Sequence, residues 1–179
     1  MRFASMRNLD ISNGEGVGVS LFVQGCDRHC FNCFNPDTWD FNGGKEWTEE
    51  TKNKFIKLID RPYINRISVL GGEPLAKQNL DEVLSLIKGI RISFPEKTIW
   101  LYTGYKFEDL INGIHYPLDS EWEDKVLRQS IVKLCDVLVD GEYIDEQRDI
   151  TLKWRGSSNQ RVIDAKQSLA QNKIVLYCN

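Results

Sequence analysis

The sequence lacks the features that mark several large classes of protein. Its 23 Lys and Arg against 26 Asp and Glu give a net charge of −3, so it has no broad positive field of the kind that nucleic-acid-binding proteins present. No apolar run approaches the roughly 20 residues that a membrane-spanning helix needs, and the N-terminal stretch has no apolar signal core. These absences predict a cytoplasmic protein with neither nucleic acid nor membrane as its partner.

Cysteine is scarce, with five residues in a chain of 179. An odd number argues against a disulfide scaffold, and thiols stay reduced in the cytosol. The chain length and the 41% of hydrophobic residues are those of one domain with a real core. No internal repeat or low-complexity linker marks a boundary, so we expect a single domain over 1–179.

Strand-like and helix-like segments alternate along the chain. The predicted strands are 17–25, 66–74, 98–105, 136–143 and 173–178, and the predicted helices are 49–60, 80–92, 120–134 and 161–171. Thr48 is a candidate helix cap, and Asn79 with Glu82 and Ser120 with Glu123 resemble capping boxes. Alternation of this kind indicates βαβ units and an α/β fold with a mainly parallel sheet. Five strands are too few for a closed eight-stranded barrel, which favours an open or partial (βα) barrel.

Every distinctive polar motif follows one of the predicted strands. The cysteine cluster follows the first strand, GGEP (71–74) the second, TGY (103–105) the third and DGEY (140–143) the fourth. In open α/β sheets ligands bind beyond the carboxyl ends of the strands. The pattern therefore predicts one site that is built from all four strand ends.

Three of the five cysteines, Cys26, Cys30 and Cys33, are spaced C-x3-C-x2-C. A loop with this spacing can direct three thiolates at one centre. A structural zinc site would need a fourth ligand, for which His29, Cys135 and Cys178 are candidates. An iron–sulfur cluster held by only three protein thiolates would instead keep one iron open for a substrate. The spacing alone leaves both alternatives open.

The motifs also resemble those of a known family. CDRHCFNC matches the signature of the radical S-adenosylmethionine (SAM) enzymes. The segments GCDRHCFNCFNPDTWDF, GGEP, LYTGY, LVDGEY and LKWRGSSNQRVID resemble, in the same order and over nearly the whole chain, the activating proteins of anaerobic (class III) ribonucleotide reductase. One departure from the wider superfamily is Asn32, which precedes the third cysteine where an aromatic residue often stands. Phe34 follows that cysteine, and it is our candidate for the residue that lines the adenine.

The resemblance implies a radical SAM type of fold and a specific chemistry. A [4Fe–4S] cluster on Cys26, Cys30 and Cys33 would bind SAM at its fourth iron and cleave it reductively. The resulting 5′-deoxyadenosyl radical would abstract a hydrogen atom from a glycine of the reductase large subunit. A one-electron donor such as flavodoxin would reduce the cluster. The alternatives are an activase of another glycyl-radical enzyme and a non-catalytic zinc- or iron-binding module.

The GGEP motif supplies the next candidate cofactor-binding residues. Gly71 and Gly72 permit positive φ and a close approach of the backbone to a ligand. Glu73 can accept a hydrogen bond from the amino group of SAM, and Pro74 stiffens the exit from the turn. Without the cysteine motif the same four residues would be interpreted as an ordinary turn before a helix.

The remaining candidates lie at later strand ends. Thr103 and Gly104 can contact SAM or an ion, or can simply form a turn. By resemblance, Asp140 helps to form a cation or SAM carboxylate site, although an Asp-Gly turn explains it equally well. In RGSSNQR (155–161) we assign Arg155, Ser157 and Asn159 to SAM binding or partner contact. The alternative, a helix start, accounts for the serines and the asparagine but not for the flanking arginines.

Overall fold

The computed structural model describes residues 1–112 and 121–178, which contain an eight-stranded sheet and five α-helices. The strands are β1 (Arg2–Asp10), β2 (Gly18–Val23), β3 (Lys45–Glu46), β4 (Arg66–Gly71), β5 (Thr98–Tyr102), β6 (Val137–Asp140), β7 (Arg161–Asp164) and β8 (Leu176–Cys178). The helices are α1 (Glu49–Ile59), α2 (Leu80–Ser93), α3 (Phe107–Asn112), α4 (Trp122–Leu134) and α5 (Ala165–Gln171). None of the helices in these two ranges has the length and apolar character needed to cross a membrane.

The sheet is parallel in the middle and antiparallel at both sides. Its strand order is β3-β1-β2-β4-β5-β6-β7-β8. The pairs β2–β4, β4–β5 and β5–β6 are parallel, and the other four pairs are antiparallel. The α/β class and the parallel centre are thus confirmed, and the sheet is open rather than closed into a barrel. Because the four central strands run in the same direction, their carboxyl ends lie along one edge.

The two faces of the sheet bury different kinds of side chain. On β4, Ile67 and Val69 belong to the main apolar core, which also contains the buried side of α1, α2 and α4. The alternate residues of the same strand, Arg66 and Ser68, are buried but polar. Successive side chains of a strand point to opposite faces, so the helices cover one face and the other is lined partly by polar groups.

The predicted helix starts had mixed outcomes. Thr48 caps α1 as predicted, since its Oγ1 accepts a hydrogen bond from the Thr51 amide at 3.2 Å. The predicted capping box at Asn79 is wrong, because the Asn79 side chain donates instead to the carbonyl oxygens of Gln24 and Glu73, at 3.1 and 3.0 Å. The proposed box at Ser120 falls outside the described residues.

The prediction of one helix over 161–171 is also wrong in its first part. Residues Arg161–Asp164 form β7, which pairs with β6 through Leu138 and Ile163, among other pairs. Pairing with an existing strand outweighs the local helical pattern here, because Val162 and Ile163 become fully buried in the sheet. The Asp164 side chain then caps α5 by accepting from the Gln167 amide at 2.8 Å. With β7, β1 and β3 added, the sheet has eight strands instead of the predicted five.

A buried ion pair joins β1 to β4 on the polar face. Asp10 and Arg66 are 3% and 0% exposed, and the Asp10 carboxylate lies 3.5 Å from Nη2 of Arg66. Ser20 also donates to this carboxylate, at 2.7 Å. Burial by itself would raise the pKa of Asp10, but the hydrogen bonds from Ser20, Asn13 and Ser12 lower it from 3.8 to about 2. These hydrogen bonds therefore favour the ionised form of Asp10 in the folded chain.

We expect Asp10→Asn to destabilise the metal-free protein by about 3–5 kcal/mol at neutral pH, because Arg66 then stays buried without a counter-charge. The stabilisation by a carboxylate of lowered pKa is present above pH 3.8 and is lost as the pH falls toward 2. The difference in unfolding free energy between wild type and variant should therefore shrink by about 2 kcal/mol between pH 5 and pH 2.

Urea unfolding at several pH values measures this difference, and Asp60→Asn, which replaces an exposed aspartate after α1, is the control. A difference between wild type and Asp10→Asn that does not change with pH would contradict the proposed charge state of Asp10.

Candidate active site

A cleft of about 400 Å³ lies at the edge where the central strands end. Its walls come from the loops that follow β2, β4, β5 and β6 and from the segment 152–160. The predicted site residues that line it are Cys26, Cys30, Cys33, Phe34, Gly71, Gly72, Glu73, Thr103, Gly104 and Arg155. A volume of this size suits a small-molecule ligand. The structure thus brings together the cysteines and most of the other predicted residues.

The glycines let two strand ends lie directly against each other. The Glu73 amide donates to the Gly25 carbonyl at 2.8 Å, and a Cβ on Gly72 would lie only 2.3 Å from that same oxygen. Gly71 has the predicted positive φ, 112°. A side chain at Gly72 would therefore push the cysteine loop away from the GGEP turn. The close backbone approach predicted for GGEP is made to Gly25 of the protein itself, next to the cleft.

Backbone amides act on the three cysteine sulfurs. The amides of Arg28 and His29 favour a lower pKa of the Cys26 thiol, and the Tyr143 amide favours a lower pKa of Cys30. The Asn35 amide donates to Sγ of Cys33 at 3.4 Å. Burial, which outweighs these effects, raises the pKa of Cys26 to about 11 and also raises that of Cys30. Amide donors of this kind suit thiolates that bind an iron–sulfur cluster.

The thiols are not arranged for a single metal ion. Within 1–112 and 121–178, no three His, Cys, Asp or Glu side chains form a group that could hold one ion. The two other cysteines do not line the cleft. Cys135 is fully buried after α4 and donates to the Ile131 carbonyl at 3.3 Å, while Cys178 lies on β8.

Glu73 connects the end of β4 to the end of β5. Its carboxylate is buried, and it accepts hydrogen bonds from the Leu75 amide at 2.9 Å, the Thr103 hydroxyl at 2.8 Å and the Gly104 amide at 2.8 Å. Burial raises the pKa of Glu73 more than these hydrogen bonds lower it. Two of the bonds end on Oε1 and one on Oε2. Since each carboxylate oxygen can accept about two hydrogen bonds, Oε2 keeps one acceptor position.

Asp140 lies beside the cleft and not among its lining residues. Its carboxylate forms an ion pair with Arg161 and accepts from the Phe107 amide, at the first residue of α3, at 2.8 Å. Arg161 also pairs with Glu108 at 2.7 Å. This arrangement joins β6, β7 and α3.

Some residues of the segment 155–161 line the cleft, and others hold the loop that forms one of its walls. Arg155 lines the cleft, and its Nε is buried without a partner among the described residues. Ser157 and Asn159 do not line it. The Ser157 hydroxyl accepts from the Ile144 amide at 3.2 Å, and Asn159 donates to the Glu142 carbonyl at 2.8 Å. Both side chains therefore hold the loop after β6, which forms one wall of the cleft.

Two further predicted residues occupy different positions. Phe34 is 56% exposed, and its ring lies 5.0 Å from the Tyr143 ring at the cleft wall. Pro74 is buried and does not line the cleft. Its position fits the expected role of stiffening the turn.

Several lining residues were not identified from the sequence, among them Arg28, Tyr102, Tyr143, Trp154 and Gln160. Arg28 and Tyr143 lie inside motifs that the sequence analysis singled out. Their closeness in the chain to Cys26 and Asp140 could have identified them as residues of the site. Trp154 lies inside the segment LKWRGSSNQRVID, but that segment did not indicate that its ring would line the cleft. Its φ of 61° and its ring contact with Trp100, at 5.0 Å, appear only in the folded chain.

Comparisons with known proteins identify the family of this chain. The sequence model of a family described as "4Fe-4S single cluster domain" matches residues 12–163. The chain is 38% identical over 164 residues to the anaerobic ribonucleoside-triphosphate reductase-activating protein of Salmonella typhimurium, covering 90% of this chain and 97% of the relative. The protein of the same name from Escherichia coli K12 is 37% identical with the same coverage, and that of Enterobacteria phage T4 is 35% identical, with 90% and 93% covered.

These matches extend over nearly the whole chain and include the cysteine loop and all four strand ends. They show that the chain belongs to the family of anaerobic ribonucleoside-triphosphate reductase-activating proteins and contains that family's 4Fe-4S domain.

Proposed function

We propose that this protein is a radical SAM enzyme that cleaves SAM reductively at a [4Fe–4S] cluster and generates a glycyl radical on anaerobic ribonucleotide reductase. The observation that carries the proposal is that three cysteine thiols, Glu73 and the Thr103–Gly104 turn line one cleft. The names of the relatives support the reductase as the partner.

Cys26, Cys30 and Cys33 are the residues that would hold the cluster. If bound, the cluster would supply the one electron needed to split SAM into methionine and a 5′-deoxyadenosyl radical, and that radical would take a hydrogen atom from the glycine. The protein's part is to bind and orient the reactants and to exclude water. The Asn35 amide, which donates to Sγ of Cys33 at 3.4 Å, would help to keep that thiolate in position.

Glu73 is the residue that we assign to the amino group of SAM. Its Oε2 atom has one acceptor position left after the bond from the Gly104 amide. An ammonium group there would stabilise the ionised carboxylate in a place where burial raises its pKa. Thr103 and Gly104 would act through the same carboxylate, which they hold from the side of β5.

Arg155 and Phe34 would contact other parts of SAM. The unpartnered Nε of Arg155 is a donor that fits an anionic group such as a carboxylate. The exposed ring of Phe34, at the cleft wall, offers a face on which an adenine can stack. Asp140, Ser157 and Asn159 would contribute indirectly, because they bond to the elements that form the wall.

The remaining assignments concern the protein's surroundings. We place it in the cytosol with flavodoxin, or a donor of the same kind, as the source of electrons. A non-catalytic zinc module is the main alternative from another class, and a visible spectrum separates the two. Anaerobically reconstituted protein should be brown if it holds an iron–sulfur cluster and colourless if it holds zinc.

Replacing Cys26, Cys30 or Cys33 by alanine should abolish both cubane-type iron–sulfur binding and SAM cleavage, because each thiolate binds its own iron. Cys135→Ala and Cys178→Ala are the matched controls, since neither residue lines the cleft. Iron and sulfide analysis, together with electron paramagnetic resonance of the reduced protein, measures the cluster. Loss of the cluster in Cys135→Ala would instead indicate a four-cysteine site.

Glu73→Gln should weaken SAM binding by about one to two orders of magnitude, because hydrogen bonds to charged groups contribute roughly 1.5–3 kcal/mol. Calorimetric titration of the reconstituted protein with SAM measures the affinity, and the cluster content should stay unchanged. Thr103→Val removes one hydrogen bond to the same carboxylate and leaves its charge in place. An equal loss of affinity in Thr103→Val and Glu73→Gln would mean that Glu73 only braces the turn.

The partner is tested by the yield of glycyl radical. With SAM and a reductant under anaerobic conditions, the protein should produce the radical signal on the anaerobic reductase in preference to a pyruvate formate-lyase. SAM cleavage should be slow when no reductase is present. Preferential activation of the lyase would support the proposed chemistry and show that the proposed partner is wrong.

A further inference from the structure

The loop that carries the cysteines is held in place by its non-cysteine side chains. Arg28 pairs with Glu142 at 2.7 Å, the His29 ring stacks on Trp39 at 4.7 Å, and Asn32 donates to Asp145 at 2.9 Å. His29 and Asn32 both have positive φ, so the loop adopts a conformation that ordinary side chains disfavour. These contacts join the loop to the segments that follow it and that follow β6.

Arg28 has the most extensive contacts of these three side chains. Its guanidinium lies 3.9 Å from the centre of the Tyr105 ring, a ring that Arg128 of α4 also contacts, at 4.8 Å. Its aliphatic part passes over Gly104, where an added Cβ would lie 3.2 Å from Cγ of Arg28. Gly104 thus leaves room for Arg28 to cross the end of β5 and reach Glu142.

Arg28 also brings a fixed positive charge to the cleft that the three thiols line. Charged side chains among the residues that line the cleft are Arg28, Glu73, Glu142 and Arg155. Arg28 alone among these lies between two of the cysteines in the chain. Its side chain is 25% exposed, and its Nε is buried without a partner in the described part of the chain. A guanidinium is always ionised in proteins, and a partly buried charge is screened less than an exposed one.

We propose that Arg28 is a positioning residue that holds the cysteine loop against the end of β5 and the loop after β6. Its positive charge also favours the reduced state of the cluster. This inference rests on the proposed function, because it requires the cluster on the three cysteines. Reduction adds negative charge, which a nearby cation stabilises, and the net charge around a cluster is one determinant of its potential. Glu142 opposes this effect because it brings a negative charge to the same place.

The ion pair offers two variants with opposite expectations. Arg28→Gln removes the positive charge, so at the wild-type midpoint potential the ratio of reduced to oxidised cluster should fall about tenfold, which is about 59 mV for one electron. Glu142→Gln leaves Arg28 without its counter-charge, so the same ratio should rise. The rise should be smaller, about threefold, because Glu142 is half exposed and water screens its charge. Both variants break the same ion pair. If this ion pair only held the loop in place and had no electrostatic effect, both variants would change the midpoint potential in the same direction.

The experiment is a redox titration of the reconstituted protein without SAM, followed by electron paramagnetic resonance of the reduced cluster. Arg28→Lys keeps the charge but loses the planar group, so its midpoint should stay close to that of wild type. Arg7→Gln is the matched control, because Arg7 on β1 lies 4.9 Å from the Phe22 ring of β2 and does not line the cleft. It should not change the potential.

Opposite shifts in Arg28→Gln and Glu142→Gln support the inference. An unchanged midpoint in Arg28→Gln with a full cluster content overturns it. If Arg28→Gln fails to hold a cluster, Glu142→Gln decides: a raised midpoint supports the electrostatic effect and an unchanged one overturns it. Wild-type protein that holds no cubane cluster overturns the proposed function itself, which distinguishes that failure from a failure of the role of Arg28.

Discussion

The site depends on one contact, in which the end of β4 meets the ends of β2 and β5. The Glu73 amide bonds to Gly25, and the Glu73 carboxylate bonds to Thr103 and Gly104. A buried carboxylate is costly unless its oxygens accept hydrogen bonds, and here three donors offset part of that cost. Glu73 therefore fixes the distance between the cysteine loop and the turn after β5, whether or not it also contacts a ligand.

The direction of the strands explains why these residues can meet at all. Residues far apart in sequence, such as Cys26 and Gly104, lie on one edge because β2, β4, β5 and β6 are parallel and adjacent. The antiparallel strands on either side leave the sheet open. In the proposed reaction the substrate is a glycine in a folded protein, and a cleft at the edge of an open sheet is compatible with such a substrate.

Both backbone groups and side chains hold the cysteine loop in place. Backbone amides face the sulfurs, where they can bond to thiolates without adding a charge. Side chains of the intervening residues, chiefly Arg28 and Asn32, reach the segment after β6. The identity of the residues between the cysteines therefore affects the site even though they would not bind the cluster.

The sequence by itself determined the α/β class and the position of the cysteine, GGEP and TGY motifs at strand ends, because spacing and alternation are local properties of the chain. It also identified Thr48 as the cap of α1. Only the tertiary structure decided the eight open strands, the pairing of Val162 and Ile163 with β6, and the use of Asn79 to bond Gln24 and Glu73. It also separated Glu73 and Arg155, which line the cleft, from Asp140, Ser157 and Asn159, which support it. These outcomes depend on contacts between residues that are distant in sequence. A local sequence pattern does not indicate which distant group a side chain will contact.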